Sequence, residues 1–437
     1  MNAHGPANAG QDLLTERAII PPRRTRFIGA LNLGMTLARR TGLAATPVLD
    51  KRALLDEARA FTGLEDFGDP WFERPLTVLL EAIKSEARLN AAGEWTAQKQ
   101  IVKILTDRLW AERWFDRHPE ILERPIPKPV VIVGPMRSGT TRLHRLLASD
   151  RRFSHLRSFE TISPVPRPEF VPGGPDFRVT LAARIARLAR LANPRTLTIH
   201  PTGPMQPEEE LGLLVNSFWS MKHDAMWWVP SYGRWCERQD PAPAYRQMVR
   251  LLKLIGWSQQ ASSLRPWVLK TPQHLYDLPA LLAVFPDARV IFTHRDPLAV
   301  VGSAASLAWN QTIIYSDHAD PTAIGEEWLG KTRMQVERMH RDRRAIPEHR
   351  QLDVYYEDMD RDWQGTMERI YQFIGLDLAP ALPAMRDYQK RTAPPRRRTH
   401  LYSLEEFGLT PGRVLDEFGD YVRDYDISIE NLTMAFG

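Results

Sequence analysis

The sequence predicts an α/β fold in which a parallel sheet is flanked by helices and preceded by an N-terminal helical layer. Three observations predict it. Helical periodicity runs from about Asp50 to Arg117. The short runs VVIV and RVIFTH then predict strands that are buried on both faces. Each run is followed by a helical segment, and alternating strands and helices are typical of a parallel sheet.

The composition is that of a globular protein with a slightly basic balance. The chain has 437 residues, is 43% hydrophobic and 25% charged, and has a net charge of +5. A single cysteine, Cys236, excludes an internal disulfide and is typical of the cytoplasm, and the first residues do not predict a secretory signal. The positive charge favours an anionic ligand, but we find no motif for nucleic acid and expect no such partner.

The chain divides into three predicted parts. Residues 1–26 are predicted to be a flexible tail and residues 27–125 a helical region. In that region VLDKRALLDEARAFTG has an aspartate before the periodic residues and a glycine after them. Prolines in ERPIPKP then end the helical pattern, so residues 126–437 are predicted to form the domain that contains the sheet.

The stretch VVIVGPMRSGTTRLHRLL predicts a strand, a glycine loop and the start of a helix. It matches the phosphate-binding pattern G-x-x-x-x-G-K-[ST] from Gly134 to Gly139. The pattern then requires a lysine, and the chain has Thr140 in its place. The basic residue of the loop is Arg137, three positions earlier. The sheet is therefore predicted to be P-loop-like, with an altered loop.

This loop is suited to an anion. Backbone N–H groups around Gly139 and the start of the helix near Thr140 can converge on negative oxygens. Ser138, Thr140 and Thr141 add hydroxyl groups, and the Arg137 guanidinium matches a pair of phosphate or sulfate oxygens. A kinase needs the lysine that is absent here. A ligand with a 5′-phosphate and one further anionic group, such as an activated sulfate, fits better.

PMRSGTTRLHRLL resembles the 5′-phosphosulfate loop of sulfotransferases that use 3′-phosphoadenosine 5′-phosphosulfate (PAPS). Arginine in this loop resembles the tyrosylprotein and carbohydrate branch and its bacterial relatives. WVLKTPQHL and the C-terminal THLYSLEEFGL also resemble segments of the family. The resemblance covers residues 128 to 437. It implies a bacterial, cytoplasmic sulfotransferase with PAPS as co-substrate and no metal, its sulfotransferase domain being residues 126–437.

A second motif agrees with this resemblance. In RVIFTHRDPLAVVGS, Arg295 ends a predicted strand and Ser303 lies eight residues later in the next helix. In the family, an arginine and a serine so placed hold the 3′-phosphate of PAPS. A bidentate contact from Arg295 and a hydroxyl about two helical turns further on are consistent with that role.

The resemblance also implies catalytic roles. Arg137 and Lys270 would stabilise charge during sulfuryl transfer. Two residues compete as the base for the acceptor hydroxyl. Glu160 lies 22 residues after Ser138, about where the tyrosylprotein-like branch has its base, and we favour it. His274 lies two residues beyond the position of the cytosolic-branch histidine, which is occupied here by Pro272.

The segment between the two motifs predicts an acceptor site. Six aromatic residues fall between 218 and 235, with Met205, Met221 and Met226 nearby. They predict either an apolar acceptor pocket or ordinary core packing. VTLAARIARLARLA predicts a basic amphipathic helix, which is typical of solvated helix faces and also of helices that lie on membranes. We therefore expect an apolar or glycolipid-like acceptor and include peripheral membrane contact as a hypothesis.

Two residue groups stay open at this point. Glu208, Glu209 and Glu210 suit the first turn of a helix, and one of them could orient an acceptor hydroxyl. Arg396 and Arg397 are weaker candidates for the 3′-phosphate. Two other functions also stay open, namely a nucleotide kinase or NTPase with a degenerate loop and a non-catalytic PAPS-binding module. The sequence names neither the acceptor nor the oligomeric state.

Overall fold

A computed structural model describes residues 24–194, 202–392 and 402–429. A four-stranded parallel sheet lies at its centre, in the order β2-β1-β3-β4. The strands are β1 (Val130–Val133), β2 (Val268–Lys270), β3 (Arg289–His294) and β4 (Gln351–Tyr355). The predicted parallel α/β sheet is therefore confirmed. The predicted tail residues 1–23, together with Arg396 and Arg397, lie outside the described residues.

Strand β1 shows why β-branched runs form the centre of this sheet. Val131 and Val133 pack into one hydrophobic cluster, and Val130 and Ile132 pack into another on the opposite face. All four side chains are almost fully buried. Successive side chains of a strand point to opposite faces, so a strand covered by helices on both sides needs apolar residues at every position.

Helices form an N-terminal layer before the sheet. Asp50 caps the second of them, its side chain accepting from the Ala53 N–H, and Gly63 ends it in the left-handed conformation. Asn90 caps the long fourth helix through the Gly93 N–H. The five helices in this part of the chain are α1 (Arg26–Arg40), α2 (Lys51–Thr62), α3 (Glu73–Ala82), α4 (Ala91–Arg117) and α5 (Glu120–Glu123).

The remaining helices connect and cover the strands. They are α6 (Thr140–Ala148), α7 (Ser158–Ile162), α8 (Phe177–Ala192), α9 (Leu211–Leu214), α10 (Met221–Trp227), α11 (Pro230–Cys236), α12 (Ala242–Ser258), α13 (Leu278–Val284), α14 (Pro297–Tyr315), α15 (Pro321–Asp342), α16 (Tyr356–Arg361), α17 (Trp363–Ile374), α18 (Leu382–Thr392) and α19 (Pro411–Asp424). In the described part of the chain, none of the helices has the length and apolar character needed to cross a bilayer.

The aromatic stretch between residues 218 and 235 serves the core. Phe218, Trp227 and Tyr232 are buried in a cluster with the N-terminal helices, and Trp219 packs with the helices beside the sheet. The N-terminal layer therefore shares its core with a segment more than a hundred residues later in the chain. The boundary at residue 126 stays a prediction.

Arg108, on α4, holds the N-terminal layer to this later segment. Its guanidinium is buried and donates to the carbonyl oxygens of Phe67 and Asp69, at 3.0 and 2.9 Å, and of Asn216, at 3.2 Å. It also lies over the Phe72 ring, 4.1 Å from its centre. Burial lowers the pKa of Arg108 to about 10, which leaves the group charged at neutral pH.

A second buried charge group joins α10 to α15. The Lys331 ammonium lies 3.3 Å from Asp224, 3.1 Å from Glu237 and 3.4 Å from Glu327. Burial raises the pKa of Asp224 to about 7, although the positive charge of Lys331 acts in the opposite direction. The Asp224 carboxyl is therefore only partly ionised near neutral pH.

Replacing Arg108 by methionine should lower the free energy of unfolding by about 3 kcal/mol, because three buried carbonyl oxygens would lose their donor. Urea denaturation measures this change. Arg113→Met, on an exposed face of the same helix, should change stability by less than about 0.5 kcal/mol. Equal effects of the two substitutions would contradict the anchoring role of Arg108.

Asp224 should make stability depend on pH. The folded protein keeps a proton that the unfolded carboxyl releases above its ordinary pKa of 3.8, so this group destabilises the fold as pH rises from about 4 to about 7. Between about pH 5 and about pH 8, the melting temperature of Asp224→Asn should fall less than that of the unchanged protein. An identical fall in both would show that another group is responsible.

Candidate active site

The loop between β1 and α6 takes its shape from two glycines and one strained arginine. A Cβ at Gly134 would lie 1.9 Å from the Thr293 hydroxyl oxygen, and one at Gly139 would lie 2.8 Å from the Tyr356 ring. Gly139 has a φ of 88°, in the left-handed region that glycine tolerates. Arg137 is left-handed as well, with a φ of 73°. Such strain in a non-glycine residue is typical of functional loops.

The loop meets the second motif directly. The Arg137 Nε donates to the Ser303 hydroxyl at 2.9 Å. In return, the Arg295 guanidinium donates to the Arg137 carbonyl oxygen at 3.0 Å. Residues that are 158 and 166 positions apart in sequence therefore lie within one hydrogen-bonded group.

This arrangement brings two guanidinium groups close together. Burial lowers the pKa of Arg137, and the positive charge of Arg295 acts in the same direction. The Arg295 guanidinium also stacks on the Tyr356 ring, 3.8 Å from its centre. Two adjacent cations repel each other, and a multiply charged anion would relieve that repulsion. The geometry is therefore suited to phosphate or sulfate groups.

Lys270 approaches the loop from the end of β2. Its side chain is 1% exposed, and its ammonium lies 3.3 Å from the Thr141 hydroxyl and in direct contact with the Glu209 carboxylate. Strands β1 and β2 are neighbouring parallel strands. Lys270, at the end of β2, therefore lies beside the loop that follows β1. The altered loop thus regains a lysine from a distant part of the chain.

The three hydroxyl residues of the loop differ in direction. Thr140 and Thr141 line a cavity beside the loop. The Ser138 hydroxyl instead donates to the Pro135 carbonyl oxygen at 2.8 Å and shares a 2.7 Å hydrogen bond with Thr293. Its side chain is buried and stabilises the loop through these two hydrogen bonds. The Ser138 hydroxyl is therefore bonded within the fold, and the prediction that Ser138 binds the cofactor stays a prediction.

Glu160 does not face the cavity. Its carboxylate is fully buried, accepts from the Arg157 N–H at 2.8 Å and contacts the Arg157 guanidinium. The Gln259 amide adds two hydrogen bonds of 3.0 Å. These bonds cap α7 and enclose the carboxylate. The structure thus gives Glu160 a capping role, and the prediction of Glu160 as the base is not supported by its position.

His274 is also removed from the cavity. Its ring is completely buried, with Nδ1 2.8 Å from the Tyr245 hydroxyl and Nε2 3.5 Å from the Glu210 carboxylate. Glu210 itself accepts from the Lys270 N–H at 2.7 Å. His274 and Glu210 therefore stabilise the turn after β2, and the prediction of His274 as an alternative base is not supported by its position.

A cavity of about 480 Å³ opens beside the loop. Its polar end contains the loop, two acidic residues and the second motif, through Arg137, Gly139, Thr140, Thr141, Glu208, Glu209, Arg295 and Tyr356. Its other end is mostly apolar and includes Ile162, Leu211, Met221, Ala225, Met226, Leu307 and Trp328. An anion-binding surface and an apolar chamber are thus contiguous, an arrangement suited to a charged donor and an apolar acceptor.

Only part of the predicted acceptor segment lines this cavity. Met221 and Met226 do, whereas Met205 is 55% exposed on the surface. Trp328 contributes from α15, where the sequence carried no signal for a binding site. Lys222 also lines the cavity, and its side chain is exposed.

Glu208 and Glu209 are the carboxylates that line the cavity. Glu209 contacts Lys270, and Glu208 accepts from the Thr202 hydroxyl at 3.0 Å. The run of three glutamates in the sequence indicated that one of them could face the site, but it did not indicate which one. Among the described residues, no group of three His, Cys, Asp or Glu side chains could hold a metal ion.

Comparison with known proteins agrees with this geometry. The model of the sulfotransferase family matches residues 129–380. Omega-hydroxy-beta-dihydromenaquinone-9 sulfotransferase Stf3 of Mycobacterium bovis is 25% identical over 342 residues, which cover 71% of this chain and 80% of Stf3.

Two solved structures share the fold over most of the chain. Sulfotransferase STF9 of Mycobacterium avium has a TM-score of 0.79 and 26% identity, covering 89% of this chain and all of its own. Sulfotransferase STF1 of Mycobacterium tuberculosis H37Rv has a TM-score of 0.75 and 32% identity, covering 86% of this chain and 99% of its own. These matches, together with the family match across residues 129–380, show that the chain belongs to the sulfotransferase family.

Proposed function

We propose that this sulfotransferase takes its sulfuryl group from PAPS and transfers it to a hydroxyl group of an apolar, lipid-like acceptor. The observation that carries the proposal is the contact of Arg137 with both Ser303 and Arg295 at the polar end of a cavity whose other end is apolar. Family membership favours this function over a kinase, an NTPase or a non-catalytic binding module.

The two motifs suit the two charged ends of PAPS. The loop around Arg137 and Thr140 would bind the 5′-phosphosulfate, with the N-terminus of α6 contributing N–H groups. Arg295 and Ser303 would bind the 3′-phosphate. Both anionic groups belong to a single ribose, so their sites must be close together, as the contact between the motifs provides.

Glu209 is the base in this proposal. It lines the cavity and touches Lys270, and its charge offsets a small part of the lowering that burial causes in the pKa of Arg137. A carboxylate beside the sulfate site can accept the proton of the attacking hydroxyl. The oxygen of the acceptor then bonds to sulfur as the bond between sulfur and the 5′-phosphate oxygen breaks, which releases adenosine 3′,5′-bisphosphate.

Arg137 and Lys270 would stabilise the charge that develops on the departing oxygen. By analogy with phosphoryl transfer, such a reaction depends mainly on positioning and on fixed positive groups. Lys270 is well placed because its buried ammonium is held between Thr141 and Glu209. As the sulfate binds, the same lysine can exchange its contact with Glu209 for one with the donor.

The acceptor class follows from the apolar end of the cavity. Methionine, leucine and tryptophan side chains there suit a hydrocarbon group with few polar atoms. The name of Stf3 specifies a hydroxylated menaquinone derivative, and an acceptor of comparable lipid character is consistent with this chamber. Peripheral contact with a membrane is part of the proposal, and a cytoplasmic location stays a prediction.

Arg295→Met should weaken binding of adenosine 3′,5′-bisphosphate by about tenfold to a hundredfold, because a charged hydrogen-bond donor is lost. Isothermal titration calorimetry measures this. Arg142→Met is a matched control, since Arg142 lies on α6 but pairs with Asp360 outside the cavity. Tighter Mg²⁺-dependent binding of ATP than of the bisphosphate would instead favour a nucleotide kinase.

Glu209→Gln should lower kcat by about a hundredfold or more, while affinity for adenosine 3′,5′-bisphosphate persists. Transfer of labelled sulfate to a panel of hydroxylated lipids provides the assay. Glu160→Gln should instead lower the melting temperature and leave turnover of the folded enzyme near normal. The opposite pattern, with Glu160→Gln inactive and Glu209→Gln active, would reinstate Glu160 as the base.

A further inference from the structure

Helix α1 presents an apolar face to the outside of the protein. Its inner face packs on the N-terminal layer through Ile28 and Asn32. Phe27, Leu31, Leu33 and Leu37 lie on the outer side and are 49%, 42%, 62% and 50% exposed. On an ordinary surface helix, such residues would face the core. This outward orientation requires a physical explanation.

Helix α8 also has exposed apolar side chains. Only Arg178 and Ala182 are buried among its residues. Phe177, Leu188 and Leu191 are 41%, 61% and 54% exposed, so this helix too has large apolar side chains in contact with solvent. Between and beside them lie three exposed arginines at helical spacing, Arg184, Arg187 and Arg190.

The two helices meet. The Thr25 hydroxyl, which caps the start of α1, donates to the carbonyl oxygen of Ala192 at the end of α8 at 2.6 Å. Neither helix contains an aspartate or a glutamate, whereas Arg26 and Arg40 on α1 are exposed like the arginines of α8. Together α1 and α8 form a surface that combines apolar side chains with arginines as the only charged residues of the two helices. We call it the α1–α8 surface.

This surface lies next to the acceptor cavity. At one end of α8, Arg178 donates to the carbonyl oxygens of Ser163 and Pro164, at 3.2 and 3.1 Å, directly after α7. Helix α7 contributes lining residues to the cavity. At the other end, the Asn193 amide donates to the Asn310 side chain at 2.8 Å, beside the lining residue Gln311. Helix α8 therefore connects two walls of the cavity.

We propose that the α1–α8 surface docks on an anionic lipid bilayer and holds the acceptor cavity against it. Apolar side chains on a helix, flanked by arginines and free of acidic residues, are the combination that inserts at the boundary between head groups and acyl chains. The arginines would attract anionic head groups, which favours a membrane over an uncharged protein partner. The delivery of acceptor from the bilayer rests on the proposed function, whereas membrane binding itself does not.

Vesicle flotation tests the proposal with the full-length chain. Vesicles of equal parts phosphatidylglycerol and phosphatidylcholine should carry the protein upward, and vesicles of phosphatidylcholine alone should carry much less. Two double variants address the two properties of the surface. Leu33→Asp with Leu37→Asp removes apolar contact on α1, and Arg187→Glu with Arg190→Glu reverses the charge on α8. Each should lower the bound fraction by about tenfold or more.

Phe61→Asp is the matched control. Phe61 is 68% exposed and packs on Trp110 of α4. The N–H of Ala92, which lies 18 residues before Trp110 on α4, donates to the Asn32 side chain of α1. At 1.5 Å per residue, Trp110 lies about 27 Å along α4 from the contact that Ala92 makes with α1. Phe61→Asp should float as the unchanged protein does. Circular dichroism melting should confirm that all variants are folded.

The possible outcomes distinguish the membrane-docking proposal from the proposed function. No flotation of the unchanged protein, or flotation of both double variants to the same extent as the unchanged protein, would overturn the proposal. In the second case, another surface or another segment would be responsible. Flotation with the expected losses would support the α1–α8 surface even if no lipid accepted sulfate, and that result would count against the proposed function alone. If both hold, the double variants should lose activity on acceptor in vesicles but keep activity on acceptor in detergent.

Discussion

The contact between the glycine loop and the residues after β3 is the constraint on which the active site depends. Arg137 is held in a left-handed conformation, and its two partners lie on a strand end and a helix that are remote in sequence. The parallel pairing of β1 with β3 makes this possible because it places the carboxyl ends of both strands at one edge of the sheet. Without that register, the glycine loop and the residues after β3 would not meet.

Buried carboxylates around this site have separate tasks. Glu160 caps a short helix and Glu210 holds the turn after β2, and both are fully enclosed. Glu209 lies beside Glu210 in sequence but faces the cavity and Lys270. Enclosure by fixed donors makes a carboxylate structural, whereas contact with both a cation and an open cavity leaves it available for proton transfer. Their positions, rather than their residue type, distinguish the two roles.

The N-terminal helices contribute more than a cover for the sheet. Through Arg108 and the aromatic residues around Phe218, they share a core with the segment that continues into the cavity wall. Helix α10 carries both core residues and the cavity residues Met221 and Met226. Packing of the N-terminal layer therefore supports the apolar end of the active site. The same layer presents α1 to the outside, next to α8.

Much of this protein was determined by local sequence. The β-branched runs specified buried strands, the glycines specified a tight anion-binding loop, and the Arg295–Ser303 spacing specified one strand end and two turns of helix. These features depend on neighbours within a few residues, so they can be recognised in the chain alone. Tertiary structure decided which side chains face the site. Ser138, Glu160 and His274 turned away from it, whereas Glu209 and Trp328 joined it, and Lys270 reached it from another strand. Spacing along a chain cannot specify these directions, because they depend on how segments more than a hundred residues apart pack together.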